Sequence, residues 1–376
     1  MRTNTVPVLF SEYLAGFLSG LRRRRAWQRC AFLYITSLVT MARFRSISGL
    51  ARHADETVDA LHHFLHDSPW DETQLANNMR AAVAEALGKE DDPTLLIIDD
   101  TPIQRNGRHI EGAGFHHASK GLVRGQCVVT ATACAGEQRL AWDARGYRSK
   151  RGCPRGEFHS KVELALMILA GSRILGANVT VLIDSWYACK EILNAIAMQG
   201  RRYVTVLKSN RNVIVDGRKT RVSNLAKGPR DYRTVKLSGK RKVRVAKRKV
   251  TLPGVAEVVV LITKVGNTTK FLVTNDLKMD KEDAVRLYAE RFSIEAFHRD
   301  AKQWLGLGEM WTRSWRAAQR HWTLVCLAYN TLKLANAALP QRHRCHTLGE
   351  IVRTLRESLY QARTIKVPAC LTKSAA

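Results

Sequence analysis

Three stretches of the chain carry side chains whose types and spacing suit chemistry. Thr94-Leu95-Leu96-Ile97-Ile98-Asp99-Asp100 is a short apolar run ending in acid, and Val179-Thr180-Val181-Leu182-Ile183-Asp184 is a second. In an open α/β sheet, ligands gather outside the carboxyl ends of strands, so acids from two neighbouring strands can converge there. Either acid taken alone is weak, since an acid after a strand is more often a turn or cap residue. The third stretch is sharper. Tyr288, Arg291, Glu295 and Lys302 are separated by three, four and seven residues. At 3.6 residues per turn they share one stripe of a helix expected over 283–304. An exposed Arg291–Glu295 pair, worth ~0.3–0.5 kcal/mol, would account for two of the four and leave Tyr288 and Lys302 unexplained. Gathered carboxylates suit a hard divalent cation, and the flanking cations suit a phosphate.

Positioning these groups requires a sheet. Between the two acidic strands, residues 126–135 read as a strand and 163–171 as a helix. Residues 187–199 read as a helix after Asp184, and 203–207 as the next strand. Such alternation points to an α/β layer with buried strands. Successive strand residues point to opposite faces, so only one of Asp99 and Asp100 can face a shared site, and spacing does not say which.

Residues 1–90 read as helices: 43–53, 55–64 and 71–87, with Val58, Leu61 and Leu65 on one stripe and Asp71 as an N-cap. Such an array could present a helix to a DNA major groove, although spacing alone supports only a helical lobe. From Lys208 to Lys249 there are sixteen Lys or Arg against Asp216 and Asp231, alternating as in Lys242-Val243-Arg244-Val245. That is a β-rich segment with one cationic face. Helices resume from Lys281 to about Leu359, and the tail after Val367 is expected to fray. The expected units are a helical part over 1–90, the candidate for DNA binding, and an α/β core over 91–208 and 269–335. A basic β-rich insertion over 209–268 interrupts that core, and a helical region and tail occupy 336–376.

The 376 residues carry 61 Lys+Arg against 33 Asp+Glu, a formal charge of +28. A folded protein this basic repels itself unless a polyanion binds it, and nucleic acid is the usual one. A membrane surface would favour one basic amphipathic helix, whereas these cations are spread along the whole chain. No stretch approaches ~20 uninterrupted apolar residues, so no span is expected. The apolar stretch 8–20 is broken by Glu12, and its arginines follow it, the wrong order for a secretory signal. Eight cysteines without a C-x-x-C pair read as reduced thiols of an intracellular protein.

The stripe Tyr288-x2-Arg291-x3-Glu295-x6-Lys302 resembles the Y-R-E-K signature of bacterial insertion-sequence transposases, which are DDE enzymes with a ribonuclease-H-like core. Ile98-Asp99-Asp100-Thr101 resembles the family's first catalytic strand, where the acid directly before Thr is the ligand, and Leu182-Ile183-Asp184 resembles its second. The order of the acids, and a β-rich insertion before the Glu, also match over about residues 40–335. The resemblance implies a mixed sheet with flanking helices and catalytic metal ligands Asp100, Asp184 and Glu295, with Asp99 as the alternative to Asp100. It implies two Mg²⁺ ions, with Mn²⁺ substituting, and Tyr288, Arg291 and Lys302 on DNA phosphates. The implied activity is hydrolysis and strand transfer on double-stranded DNA, by a homodimer that is cytoplasmic and nucleoid-associated in a prokaryotic cell. Some relatives place a Trp in the insertion to stack a flipped base; residues 205–275 have only Tyr232 and Phe271 as aromatics, so no hairpin intermediate is expected. A nuclease of the same core that never joins ends, and a non-catalytic DNA-binding regulator, are the rival readings.

Other clusters carry less. His62 and His66 stand at helical i,i+4 spacing without a third ligand, and His343, Cys345 and His346 are equally unsupported. Gly112 and Gly114 read as turn glycines. Arg145, Arg148, Lys150, Arg151, Arg155 and Lys161 form a basic loop suited to a DNA end. Trp304, Trp311 and Trp315 read as helix-packing residues.

Overall fold

The structure is a computed structural model describing residues 5–21, 25–43, 45–118, 121–228, 231–236, 242–309, 312–362 and 367–368. Most of the tail beyond Val367, expected to fray, lies outside these residues.

The chain opens with helices α1 (Val6–Leu18), α2 (Arg25–Thr40), α3 (Ile47–Ala54), α4 (Val58–His66) and α5 (Glu72–Leu87). Ser46, Thr57 and Asp71 each accept from a backbone N–H of the first turn of α3, α4 and α5. Such caps satisfy donors that a helix start leaves without a partner. The helix expected over 43–53 therefore begins later, at Ile47. Arg45, just before it, is turned fully inward. There its guanidinium donates to the carbonyls of Leu38, Met41 and Trp304.

There follow β1 (Thr94–Gln104), β2 (Gly114–Ala118), β3 (Gly121–Ala135), β4 (Gln138–Tyr147), α6 (Lys161–Gly171), β5 (Val179–Ile183), α7 (Lys190–Met198) and β6 (Arg202–Leu207). β4 pairs antiparallel with β3 and β3 with β1, whereas β1, β5 and β6 are parallel. Three antiparallel strands continued by two parallel ones, with helices over the faces, make a ribonuclease-H-like core. Val179, Thr180, Val181, Leu182 and Ile183 are all buried, as are Leu95 to Ile98 of β1. Strands covered on both faces read as continuous apolar runs rather than alternating ones. β1 does not stop at its acids: it stays paired with β3 as far as Gln104, opposite Gly125.

The basic segment supplies β7 (Asn212–Val215), β8 (Arg218–Arg221), β9 (Arg233–Lys236), β10 (Lys242–Thr251), β11 (Glu257–Val265) and β12 (Thr268–Thr274). Instead of standing apart from the core, these strands extend its sheet, because β12 pairs antiparallel with β6 from Phe271↔Leu207 to Thr274↔Val204. The boundary expected after residue 268 falls inside the β11–β12 hairpin, where Val265 faces Thr268.

The last helices are α8 (Lys281–Ala289), α9 (Phe292–Trp304), α10 (Trp315–Ala337) and α11 (Leu348–Ala362). α10 packs against α1, α2, α4 and α5 as well as β4, so the N-terminal helices share one apolar core with the sheet and the C-terminal helices. Arg320 of α10 staples this lobe. Its buried guanidinium donates to the carbonyls of Phe64, Leu65, Ser68 and Trp70 and pairs with Glu72. Among the described residues no helix is long and apolar enough to cross a membrane, and no cysteine is in a disulfide.

Candidate metal centre

The pairing of β1 with β5 decides where the acids go. Ile98 is in register with Ile183, so Asp99 and Asp184 follow as the next positions on adjacent parallel strands and project to the same side. α9 crosses that side. Lys302 Nζ donates to Thr101 Oγ1 at 2.6 Å and to the Pro102 carbonyl at 3.0 Å, and Thr101 shares the face of Asp99 two residues earlier. His298 Nε2 lies 2.6 Å from Thr130 Oγ1 on β3, which fixes the middle of the helix.

Arg291 joins the acids. Its Nη1 donates to Asp99 Oδ2 at 3.1 Å and its Nη2 to Glu295 Oε1 at 2.6 Å. The guanidinium is nearly buried at 11% exposure, Asp99 is 19% exposed, and the Glu295 side chain is open at 51%. It also lies over the rings of Tyr288, at 5.9 Å, and Phe292, at 4.9 Å. Burial is the main reason the Asp99 carboxyl is pushed up to about 7. The neighbouring Asp184 and Asp100 push the same way, while the Asp100 amide and Arg291 oppose. The Tyr288 hydroxyl is raised too, chiefly by burial, with Asp184 and Asp99 adding to it against Arg291. Asp184 is held by its own turn: the amides of Trp186 and Tyr187 donate to its Oδ1 at 2.8 and 3.2 Å.

Asp100 is turned to the other side of β1. It accepts from Lys161 Nζ at 2.6 Å, Tyr187 OH at 3.0 Å and Cys127 Sγ at 3.2 Å. The structure therefore brings Asp99, rather than Asp100, onto the side of Asp184, Arg291 and Glu295. The helix expected over 283–304 is two helices. At Glu290 and Arg291 the hydrogen bonds shorten to three-residue steps, Glu290 N to Leu287 O and Arg291 N to Tyr288 O, although Arg291 keeps helical angles of φ −53° and ψ −31°. Across this tightened turn Arg291 still lies over the Tyr288 ring and reaches Glu295, and Lys302 meets the same strand as Asp99. The helix expected from Tyr187 starts at Lys190, since the turn around Asp184 occupies the first residues.

Among the described residues, no three carboxylate, imidazole or thiol groups stand close enough together to hold a metal. Arg291 spans Asp99 and Glu295 instead. The chemistry of the donor set nevertheless fits a hard divalent cation: carboxylate oxygens, one of them raised chiefly by burial and further by its acidic neighbours, which bound positive charge would return to the ionised form.

Sequence reasoning did not identify Tyr187 or the particular role of Lys161. Both leave a signal. Tyr187 stands three residues after Asp184, and Lys161 opens α6 behind a capping box in which Ser160 and Glu163 satisfy each other's backbone. The remaining clusters make contacts of other kinds. His62 and His66 stack at 3.9 Å, and Cys345 is bonded through its amide and carbonyl to Asn336. Trp315 packs edge-on against Trp322 under Arg148, and Trp304 lies under Arg353 and Arg356. Trp311 lies outside the described residues. Of the stretch expected as a basic loop, Arg145 lies on β4 and Lys161 begins α6, and Arg145 and Arg148 already have carboxylate partners in Asp143 and Glu157.

A ribonuclease-H-like sheet with two acids at its parallel strands and a third on a crossing helix defines a class of nucleic-acid-cutting enzymes. Residues 16–255, more than half of the chain, match the family described as DDE superfamily endonuclease. The chain belongs to that family. The match includes Asp99, Asp100 and Asp184 and ends before the helix that carries Glu295. Among curated proteins none matches the chain.

Proposed function

We propose that this endonuclease is the transposase of an insertion sequence, cutting DNA at the element's ends and joining the freed 3′ ends to target DNA. The reading rests on one observation: Asp99 and Asp184 project side by side from parallel strands while Arg291 ties Asp99 to Glu295. In this reading Asp99, Asp184 and Glu295 would hold two divalent cations, Mg²⁺ or in its place Mn²⁺. Bound there, such ions supply activation of the attacking oxygen and stabilisation of the leaving one. Water attacks phosphorus at the element's end, the P–O3′ bond breaks, and a 3′-hydroxyl is released. That hydroxyl then attacks a target phosphodiester in the same site, a new P–O3′ bond forming as the target's own P–O3′ bond breaks and its 3′-hydroxyl leaves, so no covalent protein intermediate is needed. Arg291 offers a planar fork for a phosphate beside the cut, and Tyr288 borders it. Lys302, anchored on Thr101, carries a point charge along the same face. The cationic strands β8 to β10 track the DNA backbone. Two copies synapse two ends, so dimerisation depends on DNA.

The test is nicking of supercoiled DNA with Mg²⁺, followed by joining of a 3′-hydroxyl oligonucleotide. Asp99→Asn, Asp184→Asn and Glu295→Gln should each lose more than about 100-fold in both steps, beyond the loss expected from an outer partner of a metal ligand. Full cleavage by all three variants would sink the enzyme reading. Cleavage without joining in the wild-type protein would leave a nuclease that does not transpose.

A further inference from the structure

On the side of the sheet away from Glu295, the carboxylate of Asp100 is enclosed by groups from three other elements. Lys161 comes from the first turn of α6, Cys127 from β3, and Tyr187 from the turn after β5. Asp100 and Lys161 are each 18% exposed, and Tyr187 is fully buried. A buried ion pair is costly to break, because the survivor is left charged and unpaired. These residues therefore hold one another in a single arrangement.

What that arrangement supports is visible in the chain itself. The hydroxyl of Tyr187 is fixed by Asp100, and its backbone amide donates to Asp184 Oδ1. One residue thus connects β1 to the carboxylate at the end of β5. The two adjacent aspartates of β1 do different work: Asp99 faces the candidate metal centre, while Asp100 fixes from behind the turn on which Asp184 rides. We infer that Asp100, Tyr187 and Lys161 are positioning residues that align Asp184 with Asp99 for divalent-metal binding, and that Asp100 is not itself a ligand. The inference rests on the metal-dependent reading above. It makes the network an outer layer of that site, of the kind whose loss costs about 10–100-fold in metal affinity.

Mn²⁺ binding to the full-length protein, followed without DNA by loss of the free-ion electron paramagnetic resonance signal, separates the two roles. Tyr187→Phe removes one hydroxyl and is expected to weaken Mn²⁺ binding about ten-fold in a protein that still melts cooperatively, at a somewhat lower temperature. The lost cleavage should be recovered at high Mn²⁺. Asp100→Asn keeps an oxygen that can accept from Tyr187 but gives up the ion pair with Lys161, so it should weaken binding within the same range of about 10–100-fold, whereas Asp99→Asn should abolish binding. Should Tyr187→Phe fold poorly, Asp100→Ala, which lacks the acceptor, takes its place against Asp100→Asn. Wild-type affinity in Tyr187→Phe would overturn the inference. So would loss of all Mn²⁺ binding in a folded Asp100→Asn protein whose Asp99→Asn counterpart still binds. A wild-type protein that neither binds Mn²⁺ nor cleaves DNA would remove the nuclease reading itself, and the positioning role with it.

Discussion

Arg291 holds two carboxylates at once, and neither a lysine nor a neutral residue can copy that geometry. Its fork reaches Asp99 and Glu295 in directions set by a rigid plane, whereas an ammonium is a point charge on a flexible stem. Arg291→Lys should therefore cut DNA at least about ten-fold more slowly at saturating Mg²⁺, in line with the loss of one charge-assisted hydrogen bond. Single-turnover cleavage checks this, and wild-type rates would show that the bridge is incidental. The same residue separates the surface pair anticipated from i,i+4 spacing from what is present. Arg291 is nearly buried and reaches across to β1, an interaction that helical periodicity does not reveal.

The elements that carry the site are pinned by neutral histidines. His298 holds α9 to Thr130 of β3, and His321 of α10 lies between Tyr34 of α2 and the Gly306 carbonyl. Burial lowers both imidazoles to about 3 from an ordinary 6.5. A depressed imidazole contributes stability that is complete above the unfolded value and lost as pH falls from 6.5 towards 3, because unfolding lets the ring take up a proton. Urea unfolding between pH 7 and pH 4 should thus show falling stability, and His298→Gln should flatten the slope. At the start of α6, Ser160→Ala removes half of a capping box and should cost ~1 kcal/mol. Arg320→Ala leaves Glu72, the Phe64 and Leu65 carbonyls at the end of α4 and the loop carbonyls of Ser68 and Trp70 without their donor. A loss of ~3–5 kcal/mol in urea unfolding is expected, as for a broken buried pair.

Taken whole, the molecule joins a compact acidic site to a broad cationic sheet extension. Arg218, Lys219, Arg221, Arg233, Lys236, Lys242, Arg244 and Lys249 are all exposed along β8 to β10, and Arg244 and Lys264 lie over the Tyr232 ring. Because β12 is hydrogen-bonded to β6, these strands continue the sheet that bears the acids. DNA affinity should fall steeply and log-linearly with salt. Changing Lys242, Arg244 and Lys249 together to Gln should lower that slope by up to ~0.9 for each phosphate left without its cation, irrespective of DNA sequence. An unchanged slope in filter-binding or anisotropy titrations would place the DNA elsewhere.

Local chemistry was enough to mark the buried strands ending near Asp99 and Asp184, the cap at Asp71, the alternation of the cationic segment and the stripe of Tyr288, Arg291, Glu295 and Lys302. Each depends on neighbours a few residues apart, which is what periodicity records. Long-range pairing decided the remainder. β1 continues past its acids because β3 supplies backbone partners as far as Gln104, although Thr101 to Gln104 form no apolar run. The basic strands join the core because β12 finds β6, and the first helices join the last because α10 passes among them. Which of two adjacent aspartates shares the side of Asp184 and Arg291 follows from the register of β1 on β5, since shifting a strand by one residue exchanges its faces, and no property of Asp99 or Asp100 alone records that register.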